Sequence, residues 1–201
     1  MRRALLTMTA AVLVGLTATA AGAQTPTETV KSRVDEALQS LSQTATPGPE
    51  AAERRRAEVR RAADSLFDFP EMSRRALGRH WADRTVAERE EFVRLFTDLI
   101  ARSYIGKIDR YAGEAVSYTG EQVDDPEATV RSQVVTAKGS RIPVDYRLRR
   151  VNDRWAAYDV LIENVSLVGT YRSQFERIIK AESFADLLRR LREKGQLADA
   201  R

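Results

Sequence analysis

His80 is the only imidazole in 201 residues, and the chain has no cysteine to stand beside it. One histidine without a thiolate leaves no usual zinc site and no Ser-His-Asp or Cys-His triad, so His80 is read as structural or solvent-facing. The sequence contains no G-x-G-x-x-G, Walker loop, H-E-x-x-H or G-x-S-x-G, and the chemistries that those spacings serve go with them. Two acids do stand beside phenols: Asp145 next to Tyr146, and Asp159 next to Tyr158. A carboxylate in an apolar setting beside a phenol could act as a general base on a proton next to a carbonyl, as in small cone-shaped α+β enzymes. Both acids, however, alternate with the apolar residues of their segments. That places them on a wet face and argues against the enzyme reading, so no catalytic residue, metal or cofactor is expected.

The segments carrying these acids form a hairpin over 141–162, turning at Asn152-Asp153. Ile142, Val144, Tyr146 and Leu148 share one parity while Arg141, Asp145, Arg147 and Arg149 take the other, the period of a sheet with one wet face. Tyr158, Val160 and Ile162 continue the apolar face, and Pro143 points to an edge, a strand start or a bulge. Such a face either packs on helices as an ordinary core or lines a cavity for an apolar ligand. Periodicity does not distinguish the two.

Further strands are expected over 115–119 and 128–137, giving an antiparallel sheet of about four strands. Helices precede and follow it. Val30, Val34, Leu38 and Leu41 form the stripe of a first helix, ended by Thr46-Pro47-Gly48-Pro49, and a second spans about 50–66. Its run Glu53-Arg54-Arg55-Arg56 with Arg60-Arg61 reads as a solvated face, as do Arg147, Arg149, Arg150 and Arg154 on the strands. Pro70 suits the first turn of a short helix ending near Gly78, with His80 and Trp81 in the loop beyond. The strongest helix spans 86–104: Thr85 and Glu88 form a capping box, and Phe92, Leu95, Phe96, Leu99, Ile100 and Tyr104 make one broad apolar face. Val168, Tyr171 and Phe175 stripe a penultimate helix, and Ser183 with Asp186 starts the last, whose end is expected to fray after Gly195. Helices, meander, helices: the fold class is α+β, a curved sheet covered on one face.

The chain opens with Arg2 and Arg3, an apolar stretch from about 4 to 16, and small residues ending Ala21-Gly22-Ala23. This predicts a secretory signal peptide cleaved after Ala23, since the apolar stretch falls short of the roughly 20 residues that span a bilayer. Its removal takes two arginines and no acid from a net charge of +4. The near-balanced remainder, 24–201, is expected to fold as one domain and not to bind nucleic acid.

The stretches FDFPEMSRRALGRHW, EREEFVRLFTDLIARSYIGKI, PVDYRLRR, RWAAYDVLIENVSLV and YRSQFERII, in this order from about Phe67 to Ile179, resemble the MlaC family, the toluene-tolerance auxiliary component of an ABC transport system. The resemblance implies a monomeric periplasmic phospholipid carrier that holds acyl tails in an apolar pocket between sheet and helices, with the head group outside. It also implies two partners, an inner-membrane ABC transporter complex bearing an MCE-domain component and an outer-membrane lipoprotein complex, in the maintenance of outer-membrane lipid asymmetry. At roughly 0.8 kcal/mol per methylene, about 30 methylenes of lipid tail would cost on the order of 24 kcal/mol bare in water, so a carrier must bury most of their length. On this reading the hairpin face, with Val144, Tyr146, Leu148, Tyr158, Val160 and Ile162, is one pocket wall. Phe92, Leu95, Phe96, Leu99 and Tyr104 form the facing wall, and Phe67, Val165 and Tyr171 complete the expected lipid-binding set. The alternatives are a periplasmic protein-binding adaptor without lipid cargo and a small isomerase-like enzyme.

Overall fold

The computed structural model describes residues 24–43, 48–105 and 113–199. The segment read as a signal peptide lies outside the described residues, as do the last three residues of the IGKI stretch and positions 44–47 of the expected first break. Helix α1 (Pro26–Gln43) packs on α2 (Pro49–Leu66). The chain then touches the sheet before it turns: Phe67 bridges Ala157, and the Asp68 N–H donates to the Ala157 carbonyl at 2.8 Å. Asp68 next caps α3 (Phe69–Leu77), accepting from the Glu71 N–H at 3.0 Å, with Pro70 in the first turn where no donor is missed. Gly78, at φ 59°, ends α3 and opens a 3₁₀ turn, Gly78–Trp81, in place of the expected loop.

Helix α4 (Val86–Ile105) begins with the expected capping box: the Thr85 N–H donates to Glu88 Oε2 at 2.8 Å and the Glu88 N–H to Thr85 Oγ1 at 3.3 Å. The sheet follows as a meander of β1 (Ala115–Asp124), β2 (Glu127–Val135), β3 (Arg141–Val151), β4 (Arg154–Ile162) and β5 (Val165–Ser166), antiparallel in sequence order. It has five strands where about four were expected, because two-residue β5 is too short to carry a period. β1 also runs past the expected end at 119, crossing Gly120 through a bulge. A second bulge leaves Tyr158 without a partner in β3, between the pairs Arg147 with Asp159 and Leu148 with Ala157. Pro143 lies third in β3, near the strand start.

Helices α5 (Leu167–Ala181) and α6 (Phe184–Asp199) close the fold, and α6 runs through Gly195. Two apolar cores result. In the first, α3 to α6 meet around an aromatic cluster in which Phe92 sets its ring edge on Phe175 (5.6 Å, 83°) and Phe96 on Tyr171 (5.1 Å, 79°). In the second, Val30 and Leu66 pack on Ala128, Val130, Leu148, Trp155 and Ala157 of the sheet. Among the described residues no helix is long and apolar enough to cross a membrane.

Candidate functional site

Between the two cores the helices do not close on the sheet. A cavity of about 290 Å³ remains there, walled by Tyr146 of β3 and Val160 and Ile162 of β4. Opposite stand Val59, Arg60 and Ala63 of α2 and Ile100, Ala101 and Tyr104 from the last turns of α4. Phe67, Phe69 and Met72 form one end with Leu167, the first residue of α5. The register explains the sheet wall: Tyr146 pairs with Val160 and Val144 with Ile162, so these four share the face toward the helices.

The lining holds no carboxylate or imidazole, and its one cation is Arg60. That guanidinium is tied to Asp64 at 3.1 Å on its own helix and reaches Asp98 of α4 at 3.8 Å, across the gap that the cavity occupies. Burial pushes the Tyr146 phenol up to about 12. Burial, and then the neighbouring Tyr171 phenol, raise that of Tyr104. Both therefore stay neutral at any physiological pH, and the space can hold an apolar chain without offering it a charged acid–base group.

Asp159 is corrected by the structure. Its parity does turn it away from Val160, but it is only 3% exposed rather than wet. Oδ1 accepts from the Val160 N–H (2.9 Å) and the Val168 N–H (3.0 Å), and Oδ2 from the Ser166 hydroxyl (2.6 Å), with Arg147 at 3.6 Å. The carboxylate thus anchors the first turn of α5 to β4, where a helix N-terminus favours negative charge. Tyr158 donates its hydroxyl to Glu127 (3.0 Å), and so neither acid–phenol pair faces the cavity as a unit. The strand arginines are likewise engaged: Arg149 with Asp68 at 2.8 Å, Arg150 with Asp125 at 2.8 Å and over the Trp155 ring at 4.5 Å, Arg154 with the Ser65 carbonyl at 3.3 Å. His80 has a partner too, Glu176, 2.7 Å from its Nε2.

Of the residues expected around the pocket, Phe67, Tyr104, Tyr146, Val160 and Ile162 line this cavity. Val144 shares their face without reaching it. Phe92, Leu95 and Phe96 lie in the aromatic core because α5 and α6 clasp that half of α4, and Leu148 is sealed in the second core. Leu99 and Tyr171 line a separate hollow between α4, α5 and α6. The bulge diverts Tyr158 toward Arg75 and Glu127, and Val165 is 62% exposed on two-residue β5. The residues not anticipated are Val59, Arg60 and Ala63, Phe69 and Met72, Ile100 and Ala101, and Leu167. Val59 and Ala63 fall on the apolar side of α2 and Ile100 on that of α4, a signal of burial that does not say against what. Nothing in the pattern marks Arg60.

A helix-roofed antiparallel sheet with an apolar cavity beneath the roof defines the domain as α+β. A family model described as MlaC protein matches residues 31–193, and the chain belongs to that family. Among solved structures it is similar to the phospholipid-binding protein from Ralstonia solanacearum, determined in complex with a phospholipid. Identity is 26%, the TM-score is 0.74, and the match covers 85% of this chain and 97% of that one.

Proposed function

We propose that this chain is a phospholipid-binding carrier whose cavity under α2 and α4 receives acyl chain. The observation that carries the reading is the apolar cavity between sheet and helices, in a fold shared with a protein solved with phospholipid bound. Arg60, the cation among the lining residues, suits a head-group phosphate at the rim. In this reading residues 1–23 are the cleaved export signal, and 24–201 acts as a monomer in the periplasm, moving lipid between an inner-membrane ABC transporter with an MCE-domain component and an outer-membrane lipoprotein complex. The role is binding rather than catalysis. Incubating lipid-stripped protein with donor vesicles containing a tail-labelled phospholipid, then adding acceptor vesicles, tests it. Transfer should rise in proportion to protein, whereas an adaptor without cargo would leave the label in the donor.

A further inference from the structure

Behind the cavity wall, on the other side of the same strand pair, lies another concave surface of about 370 Å³. Adjacent strand residues point to opposite faces, so where Tyr146 and Val160 face the cavity, Arg147 and Asp159 face this groove. Arg74, Arg75 and Gly78 from the end of α3 line it, as do Ser166, Gly169 and Arg172 from the start of α5.

Its arginines are held in place. Arg74 and Arg75 grip the buried Glu71 at 2.6 and 2.7 Å, and Arg75 also lies 3.7 Å over the Tyr158 ring. Arg172 is exposed and pairs with no acid among the described residues. Its guanidinium rests where a side chain at position 78 would be, since a Cβ there would stand 2.9 Å from Arg172 Nε. Gly78 therefore serves both the φ of 59° that ends α3 and the seat of this cation.

The floor is different in sign. Asp159 is a buried carboxylate, and it and Ser166 already take the Val168 and Gly169 amides that a small oxyanion would seek at a helix N-terminus. A single phosphate seated there would meet negative charge and two amides already engaged. The cations lie at the rim instead, with Arg74 and Arg147 about half exposed. Arg74, Arg75 and Arg147 already have acid partners in Glu71, Glu127 and Asp159, so the attraction left for a ligand is that of Arg172 with the exposed parts of Arg74 and Arg147, which a segment with spaced carboxylates lying across the rim would meet. We propose that the groove between α3, the α5 start and the β3–β4 pair is a docking surface for an acidic segment of a partner protein. It goes beyond the cavity reading and does not depend on which cargo the cavity holds.

The test is fluorescence polarisation of a dye-labelled hexaglutamate peptide with the full chain, alongside the double variant Arg147→Gln with Arg172→Glu. A control, Arg54→Glu with Arg61→Gln on exposed α2, removes the same charge elsewhere. The groove variant should weaken peptide binding at least tenfold and the control less than twofold, with phospholipid load and melting temperature measured in parallel. Arg172→Glu alone, at an exposed position without an acid partner among the described residues, should keep the fold and weaken binding at least threefold. Equal weakening in groove and control variants, absence of peptide binding, or binding of phosphatidylglycerol vesicles in place of the peptide would each overturn the proposal. Wild-type protein that binds the peptide but carries no phospholipid would count against the cavity reading alone.

Discussion

Single residues in this protein divide by what surrounds their polar atoms. Glu71, 6% exposed, is gripped by two arginines. Burial alone would raise its pKa, but the hydrogen bonds and charge of Arg74 and Arg75 outweigh this and lower it from the ordinary 4.5 to about 2. A depressed carboxylate contributes stability that is complete above its unfolded pKa and is lost as pH falls through the folded one. Glu71→Gln should therefore cost about 1–3 kcal/mol at pH 7, and the gap to wild type should close between about pH 4.5 and 2 in denaturation curves. His80 lies in a weaker setting, beside a partly exposed Glu176 also tied to Lys180 and Arg79. His80→Ala should cost less than about 1 kcal/mol and leave lipid load unchanged, as extraction and phosphorus assay of both proteins would show.

Helices and strands act here in halves. The first half of α4 is locked by Phe92 and Phe96 against α5 and α6, while its end borders the cavity. Phe96→Ala should lower stability by about 3–5 kcal/mol, whereas Ala101→Phe should fill the cavity, cut bound lipid and change the melting point little. Calorimetry with lipid extraction on the two variants separates the halves. The start of α5 depends on Asp159 instead. Asp159→Ala leaves the Val168 amide and Ser166 hydroxyl without their acceptor, at about 2–3 kcal/mol, or roughly 4–12 °C in melting temperature.

This division is also where the sequence stops being legible. Periodicity and caps placed the six α-helices of the described residues, the hairpin and its turn, because those signals are local. The apolar face of α4 is continuous in sequence, and only the docking of α5 and α6 on its first half decides that Phe92 is core and Tyr104 is wall. The bulge at Tyr158 was equally hidden, since it arises from the pairing with β3. Asp159 read as wet because its α5 partners come seven and nine residues later, after a turn that parity does not describe.

For the whole molecule, size is the governing quantity. A water's share of liquid volume is about 30 Å³ and a methylene is of similar bulk, so 290 Å³ holds about ten methylenes, against about 30 in two tails. Two tails exceed the cavity as it stands, and widening on loading is the expected outcome. The boundary best placed to move is α2, whose polar tie across the gap to α4 is Arg60 with Asp98 at 3.8 Å, between two groups each 35% exposed. Amide hydrogen exchange should change most in α1 and α2 on lipid loading and least in α4 around Phe92 and Phe96.

The central claim, that the space under α2 and α4 holds phospholipid tail, is tested most directly by native mass spectrometry of detergent-free protein beside its Val160→Asp variant. Val160 lines the cavity, and a buried carboxylate there must either displace the tail or bear a desolvation cost of several kcal/mol. The account predicts wild-type protein carrying a phospholipid mass, and a folded variant largely without it. Wild-type protein with no bound lipid, or a folded variant retaining its full load, would contradict it.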